Sequence, residues 1–155
     1  MQGNEKIIAK LNELLSHELT AINQYMVHSS MSDNWGYAKL HTIIQKRAID
    51  EMKHAERLID RILFLEGKPV VSVLDNIMIG SEIVKQHQND HISEEDAIHK
   101  YNIGIELAVE VNDNGTRDLM QSLLKDEESH IDVIEAQLEQ INQMGIQNYL
   151  AEQLA

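Results

Sequence analysis

Two Glu-x-x-His tetrads are the part of this sequence best suited to do chemistry. They are Glu51-Met52-Lys53-His54 and Glu127-Glu128-Ser129-His130. Residues three apart on a helix share one face, so each tetrad directs a carboxylate and an imidazole toward the same point. Carboxylate and imidazole are ligands for iron, manganese and zinc, and the chain has no cysteine to add a thiolate. Each tetrad therefore predicts part of a metal site.

A fixed spacing along the chain relates the tetrads to two further glutamates. Glu94 follows Glu18 by the same number of residues as the second tetrad follows the first. We call this separation the half-chain offset. The lone glutamate also precedes its tetrad by an equal interval in both halves of the chain. This is the ligand set of a carboxylate-bridged two-metal site inside a four-helix bundle. The predicted ligands are Glu18, Glu51, His54, Glu94, Glu127 and His130.

The predicted burial of the glutamates distinguishes a metal site from a surface salt bridge. A single Glu-x-x-His tetrad on a helix is typically solvated, but here every candidate glutamate lies on a predicted apolar stripe. A buried, unpaired carboxylate costs several kcal/mol, so the pattern favours metal ligation over structural salt bridges. The four carboxylates balance two divalent cations. Iron or manganese suits this ligand set, with zinc as a competitor and dioxygen or peroxide as the oxidant.

Helices are predicted to carry these residues. Apolar residues recur at steps of three and four in four segments, 4–34, 37–66, 81–113 and 116–144. Residues 112–115 read as a turn. The connection 70–80 is too long for a tight hairpin, so the second and third helices are expected to run parallel. The tail 146–155 has room for about two helical turns.

Composition narrows the class of protein. A chain of 155 residues is expected to form one domain, 1–155. Its net charge of −13 disfavours nucleic acid and anionic membranes as partners. No apolar run reaches the length of about 18 residues that spans a bilayer, and no signal region precedes the first helix. A cytoplasmic protein is therefore expected.

Four blocks of sequence resemble one known family. They are ELTAINQY at 18–25, IDEMKHA at 49–55, RILFLEG at 61–67 and MGIQNYL at 144–150. Together with the paired tetrads they resemble bacterioferritin, a haem-binding iron-storage member of the ferritin superfamily. The resemblance spans nearly the whole chain and is weakest over 87–114. It implies an all-α, ferritin-like four-helix bundle with a long crossover between helices two and three and a short fifth C-terminal helix.

The resemblance also implies a function. Bacterioferritins are ferroxidases that oxidise Fe(II) with O2 or H2O2 and store ferric mineral inside a shell of twenty-four subunits, with two iron ions bound per subunit. By position, Glu51 and Glu127 would bridge the two irons. The remaining ligands would be Glu18 and His54 at one iron, and Glu94 and His130 at the other.

Two further residues receive roles by position. Tyr25 would lie beside the metals, either as an electron donor or as a core tyrosine with a satisfied hydroxyl. Met52 would bind haem b shared between two subunits, one thioether from each; an adaptable interface side chain is its alternative role. Met52 lies about 100° around the helix from Glu51, so it points off the internal stripe. The residues that match the family's haem pocket by position are Leu19, Ile22, Asn23, Met26, Ile49 and Lys53.

The chain also departs from the family. Lys46 stands where relatives often carry an iron-binding histidine on the inner surface, although Asp50 remains, and Val133 replaces a tryptophan found in some relatives. His91 and His87 precede Glu94 by one and two turns, respectively, and are interpreted as partly exposed rather than ligating. The positions that match a family pore are Asn34, Glu66 and Asp132, with Glu139 conservatively altered.

Other functions compete with iron storage. The main alternative is a haem-holding or electron-transfer shell whose carboxylates form a structural cation site. A rubrerythrin-like peroxidase is disfavoured because that family carries a cysteine-rich module, and a DNA-shielding mini-ferritin places its site between subunits. A second ferritin-type subunit and a ferredoxin-like reductant are further candidate partners.

Overall fold

Five α-helices make up the fold. The computed structural model describes residues 1–155 and contains no strand. The helices are α1 (Glu5–Asn34), α2 (Ala38–Phe64), α3 (Ile83–Glu110), α4 (Asn114–Met144) and α5 (Ile146–Ala151). Four long helices and a short fifth confirm the predicted ferritin-like bundle. None of the helices is both long enough and apolar enough to cross a bilayer.

The start of α4 differs from the prediction. The predicted turn 112–115 is wrong in its second half, because α4 already begins at Asn114. Asn112 takes the positive φ of 60° that ends α3, and Asp113 caps α4 by accepting a hydrogen bond from the backbone N–H of Thr116 (3.0 Å). A side-chain cap of this kind satisfies an otherwise unpaired N–H, so the helix begins earlier than residue types alone suggest.

Contacts at the helix ends establish that α1 and α2 are antiparallel. The backbone N–H of Gly3, just before α1, donates to the carbonyl of Leu65, just after α2 (3.0 Å). At the opposite end, the hydroxyl of Ser29 in α1 donates to the carbonyl of His41 near the start of α2 (3.3 Å).

The third helix runs antiparallel to α1. Tyr25, late in α1, bonds to Glu94 in the first half of α3, whereas Tyr101, later in α3, bonds to Glu18 earlier in α1. Since α1 opposes both α2 and α3, the second and third helices run parallel, and the predicted orientation is confirmed.

Polar side chains along α1 hold the crossover 65–82 against the bundle. An extended segment has no internal partners for its backbone N–H groups, so a neighbouring element must supply acceptors. Side chains at one-turn and two-turn intervals on α1 do so. The pairs are Asn12 with Val70 (2.8 Å), Thr20 with Asp75 (2.8 Å), Gln24 with Met78 (3.0 Å) and His28 with Gly80 (3.0 Å).

Two apolar clusters pack the bundle and leave a polar layer between them. Along α1, the larger cluster ends at Leu15 and the smaller cluster begins at Ala21. Along α2, the smaller cluster ends at Ala48 and the larger cluster resumes at Ala55. The intervening residues of both helices include the predicted metal ligands. The core therefore encloses these polar side chains from both ends of the bundle.

A buried aspartate joins three helices near this layer. Asp90 of α3 is fully buried. One of its oxygens accepts from Nε2 of Gln24 (2.9 Å) and lies 2.8 Å from Nδ1 of His28, both in α1. Its other oxygen accepts from Arg47 of α2 (3.1 Å). Buried ionised groups persist only when they are paired in this way.

Replacing Asp90 with alanine should lower the free energy of unfolding by about 3–5 kcal/mol. The reason is that Arg47, which is only 3% exposed, would remain buried without its carboxylate partner. Denaturant unfolding of the metal-free protein, followed by helical circular dichroism, measures the change. Glu106→Ala, an exposed acidic position on the same helix, is the matched control. Equal midpoints for the two variants would contradict the prediction.

Candidate metal centre

Four helices contribute side chains to one buried cluster. Each long helix places a glutamate at the polar layer, and α2 and α4 each add a histidine one turn later. None of the six is more than 9% exposed. They are Glu18 of α1, Glu51 and His54 of α2, Glu94 of α3, and Glu127 and His130 of α4. The structure thus brings together all six residues that the sequence singled out.

The six side chains form two overlapping ligand groups. Within each group, one ligand atom from each residue lies within 4.8 Å of the others. Glu51 and Glu127 belong to both groups, which is the arrangement expected of bridging carboxylates. The unshared members are Glu18 and His54 in the first group, and Glu94 and His130 in the second.

The two imidazoles turn the same nitrogen toward the cluster. Nδ1 of His54 lies 2.8 Å from a carboxylate oxygen of Glu127, and Nδ1 of His130 lies 2.8 Å from a carboxylate oxygen of Glu51. Their rings stack with centroids 6.0 Å apart. Each histidine therefore approaches the shared glutamate of the opposite helix.

Two aspartates hold the outer nitrogens of these histidines. Nε2 of His54 lies 3.0 Å from Asp126, and Nε2 of His130 lies 3.2 Å from Asp50. A carboxylate on the outer nitrogen directs Nδ1 inward and increases its basicity as a ligand. This role was missed from the sequence, which gave Asp126 no part and considered Asp50 only beside an inner-surface iron-binding position. The half-chain offset also separates these two aspartates, and it is the signal that could have revealed their role.

Two tyrosines hydrogen-bond to the unshared glutamates. The hydroxyl of Tyr25 donates to Oε1 of Glu94 (2.6 Å), and the hydroxyl of Tyr101 donates to Oε1 of Glu18 (2.6 Å). Both tyrosines are fully buried. Tyr25 was predicted to lie here, whereas Tyr101 was given no role at the site from the sequence. It follows Tyr25 at the half-chain offset, so the same spacing could have identified it.

Protons balance the charge of the carboxylates within the cluster. Burial, together with the charge of Glu18, raises the pKa of Glu51 to about 8. The pKa of Glu127 is raised for the same two reasons. Burial acts in the same direction on Glu18, but hydrogen bonds with Glu51 and His54 outweigh it and hold the pKa of Glu18 at about 2. Glu51 thus keeps a proton at neutral pH, while Glu18 is ionised.

The histidines carry protons as well. Burial alone would lower the pKa of His54, but hydrogen bonds with Glu127 and Glu18 raise it. His130 has a raised pKa because Glu127 and Glu51 likewise outweigh burial. Cations would take the place of these protons, because ligating carboxylates and imidazoles must be deprotonated. Metal binding should therefore release protons and weaken as the pH falls.

Inward-facing donor atoms lack aligned hydrogen-bond partners. Buried polar atoms are nearly always paired, so an unpaired group points to a missing partner such as an ion. The chemistry of the set, four carboxylates and two imidazoles, fits two divalent cations of the iron, manganese or zinc type. The unpaired atoms are Oε2 of Glu18, Oε1 of Glu51, Oε2 of Glu94, Oε2 of Glu127 and Nδ1 of His130.

Replacing Asp126 with asparagine should weaken metal binding about tenfold or more, the usual effect of losing an outer partner of a ligating histidine. The expected cause is a less basic, less firmly oriented His54. Calorimetric titration of the metal-free protein with Co(II) measures the affinity. Asp118→Asn, exposed on the same helix, is the control. Unchanged affinity in Asp126→Asn would remove Asp126 from the site.

The two histidines early in α3 lie outside the cluster. His91 is partly exposed, as predicted, and lies 3.0 Å from Glu135. His87 contradicts the prediction, because it is only 1% exposed and its Nε2 lies 3.0 Å from the hydroxyl of Tyr149 in α5. Burial lowers the pKa of His87 to about 4. The short fifth helix, whose packing the sequence did not reveal, covers this residue.

An apolar strip lies on the outer face of α1 and α2, away from the cluster. Met52 is 45% exposed, whereas the neighbouring Glu51 is 1% exposed. Met26 of α1 and Ile49 of α2 are exposed to similar extents. Large exposed apolar patches commonly mark binding surfaces. The strip therefore presents a thioether within an apolar setting, which fits a haem or a partner subunit.

Comparison with known proteins gives consistent matches over nearly the whole chain. Residues 8–144 match the ferritin model described as a ferritin-like domain. Bacterioferritin from Mycobacterium bovis is 40% identical over 152 residues, covering 98% of this chain and 96% of that protein. Bacterioferritin from Streptomyces coelicolor is 40% identical over 97% of this chain and 90% of its own. Bacterioferritin from Rhodobacter capsulatus is 38% identical, with coverage of 96% and 92%.

Proposed function

This chain belongs to the ferritin family, among its bacterioferritins, and on that premise we propose that it stores iron and oxidises Fe(II) at a two-metal site within each subunit. The observation that carries the proposal is the pair of overlapping ligand groups that share Glu51 and Glu127. Side chains common to both groups are what a site for two neighbouring ions requires.

Charge explains how these residues could take up and release iron. Four ionised carboxylates balance two Fe(II) ions, and two neutral imidazoles add no charge. Oxidation leaves two positive charges in excess of the four carboxylates. In a buried site such an imbalance is costly, so it favours departure of the ferric product toward the mineral.

The outer residues would keep this site in order during turnover. Asp126 and Asp50 orient the two histidines through Nε2, and Tyr25 and Tyr101 orient the two unshared glutamates. Each ligand that is not shared therefore has a second anchor. Side chains held in this way undergo little rearrangement when ions enter, which lowers the cost of binding.

Aerobic titration with Fe(II) tests the proposal. We expect rapid absorbance growth from ferric species, with a break at two Fe(II) per subunit, followed by slower mineral growth. Iron-edge anomalous scattering from loaded crystals should show paired peaks within about 4 Å of each other, the spacing usual for two-metal sites. Oxidation no faster than in buffer, with ions bound, would instead support a structural cation site.

We expect the subunits to assemble into a closed shell of twenty-four copies. The exposed strip with Met26, Ile49 and Met52 supports a subunit interface on α1 and α2. Light scattering should give twenty-four times the mass of the 17.7 kDa chain. A monomer or dimer mass across ordinary concentrations would contradict this expectation.

Haem b is proposed to bind at the same interface. The apolar strip and its exposed thioether fit the group, and Met52 of each of two subunits would supply a ligand to the haem iron. Haem bound there would supply one-electron redox chemistry. Within this chain, Ile49, three residues before Met52 on α2, and Met26, exposed on α1, would help to exclude water from the bound haem.

A further inference from the structure

Tyr101 occupies on α3 the position that Tyr25 occupies on α1. Its hydroxyl donates to Oε1 of Glu18 at 2.6 Å, and the phenol is fully buried. The other oxygen of Glu18, Oε2, has no aligned partner and lies 3.7 Å from Nδ1 of His54. Glu18 therefore keeps one oxygen for the metal side of the cluster and one for the tyrosine.

No other readily oxidised side chain is bonded to the ligands. The chain has no cysteine and a single tryptophan, Trp35, which is 38% exposed and lies just after α1. Of the two remaining tyrosines, Tyr149 bonds to His87 rather than to the cluster, and Tyr37 lies at the start of α2. Only Tyr25 and Tyr101 can give an electron directly beside the metal ligands.

The two tyrosines differ in their surroundings. The guanidinium carbon of Arg47 lies 5.0 Å from the ring centroid of Tyr25. A cation over an aromatic face opposes removal of an electron from that ring. Tyr101 has no cation over its ring and instead packs within the larger apolar cluster. The ring of Tyr101 should therefore lose an electron more easily than the ring of Tyr25.

We propose that Tyr101, paired with Glu18, is a second electron donor of the oxidation site and is oxidised before Tyr25. The proposal rests on the iron oxidation proposed above. Two Fe(II) ions supply two electrons, and reduction of dioxygen to two water molecules requires four. Tyr101 and Tyr25 supply the other two electrons and become neutral tyrosyl radicals. Their phenolic protons leave through Glu18 and Glu94 and, with two protons from solvent, complete the two water molecules.

Loss of these donors changes the product of oxygen reduction. With only the two electrons of two Fe(II) ions, dioxygen and two protons form one molecule of hydrogen peroxide. The double variant Tyr25→Phe/Tyr101→Phe should therefore release hydrogen peroxide in the first turnover, whereas the wild-type protein should not. A sensitive peroxidase-coupled assay distinguishes the two.

Freeze-quenched electron paramagnetic resonance after mixing with Fe(II) and oxygen tests the proposal directly. The wild-type protein should show an organic radical whose spectrum narrows with ring-deuterated tyrosine. Because each tyrosine gives one electron, Tyr101→Phe and Tyr25→Phe should each lower the final radical yield about twofold. At the earliest quench times the radical should be lost in Tyr101→Phe and kept in Tyr25→Phe, in the order set by the nearby cation. Tyr149→Phe, a buried tyrosine away from the ligands, should keep the full yield.

Anaerobic Co(II) binding separates the redox role from a structural one. Tyr101→Phe should still bind two Co(II) per subunit, with an affinity lowered only by the loss of the hydrogen bond to Glu18. Loss of Co(II) binding, or a wild-type radical yield in Tyr101→Phe, would overturn the proposal. Wild-type protein that oxidises iron without forming a radical would overturn it while leaving the proposed function in place. Failure to oxidise iron at all would instead refute the proposed function.

Discussion

Replacing Glu127 with alanine should abolish rapid oxidation of Fe(II). Glu127 belongs to both ligand groups, so its loss removes a ligand from each ion. Loss of an outer partner alone typically costs about 10–100-fold, so we expect loss of a shared ligand to slow the initial rate by more than about a hundredfold. Stopped-flow absorbance under oxygen, at two Fe(II) per subunit, measures that rate.

The same change should not unfold the protein. Burial and the charge of Glu18 raise the pKa of Glu127, which shows that the cluster opposes another negative charge. His54 loses one neighbour but keeps Asp126, Glu18 and Glu51 within 4 Å. The metal-free variant should therefore unfold at the wild-type temperature or slightly above it.

Glu128→Ala is the matched control for this experiment. Glu128 is the next residue on α4 and is exposed, so it has the same chemistry without the burial. It should oxidise iron at the wild-type rate. A wild-type rate of Fe(II) oxidation in Glu127→Ala would contradict the ferroxidase proposal. A slow rate in both Glu127→Ala and Glu128→Ala would instead indicate a general effect on α4.

Replacing Met52 with alanine should give a haem-free shell that still assembles and still oxidises iron. Met52 is the exposed thioether of the strip on α1 and α2, and without it neither subunit would supply the proposed ligand to the haem iron. Glu51 lies about 100° away around the helix, so the metal ligands should keep their positions. The absorbance spectrum of protein expressed with ample haem measures occupancy.

Met26→Ala is the control for the haem prediction. Met26 is an equally exposed methionine of the same strip, but on α1. Its loss removes apolar contact and should leave the spectrum of a haem with two thioether ligands. Full haem occupancy in Met52→Ala would show that this methionine only fills an interface.

Local patterns in the sequence were sufficient to predict the helical architecture and the metal ligands. The apolar stripes at helical spacing predict four long helices, because each stripe depends only on residues three and four apart. Glu18 and Glu94 interrupt such stripes, which predicts their burial before any packing is known. The half-chain offset then relates the two halves. These features can be recognised from the sequence alone because a helix fixes the direction of each side chain relative to its neighbours.

Pairings between helices required the tertiary structure. Asp126 holds His54, and Tyr101 holds Glu18, across gaps of 72 and 83 residues. Such contacts depend on the relative height and rotation of two helices, which no local pattern encodes. The half-chain offset also relates these outer residues to Asp50 and Tyr25, but it could not say which helix each would face.

The burial of His87 could not be predicted from the sequence. Its position on α3 is compatible with a half-exposed face, and the prediction of partial exposure was wrong because α5 packs over it. Similarly, Asp90 and Arg47 could not be recognised as partners before α2 and α3 were seen to run side by side. The sequence by itself determined the helices and the set of ligands, since both follow from helical periodicity. The tertiary structure alone decided which side chains hold those ligands in place, because that depends on how the helices pack.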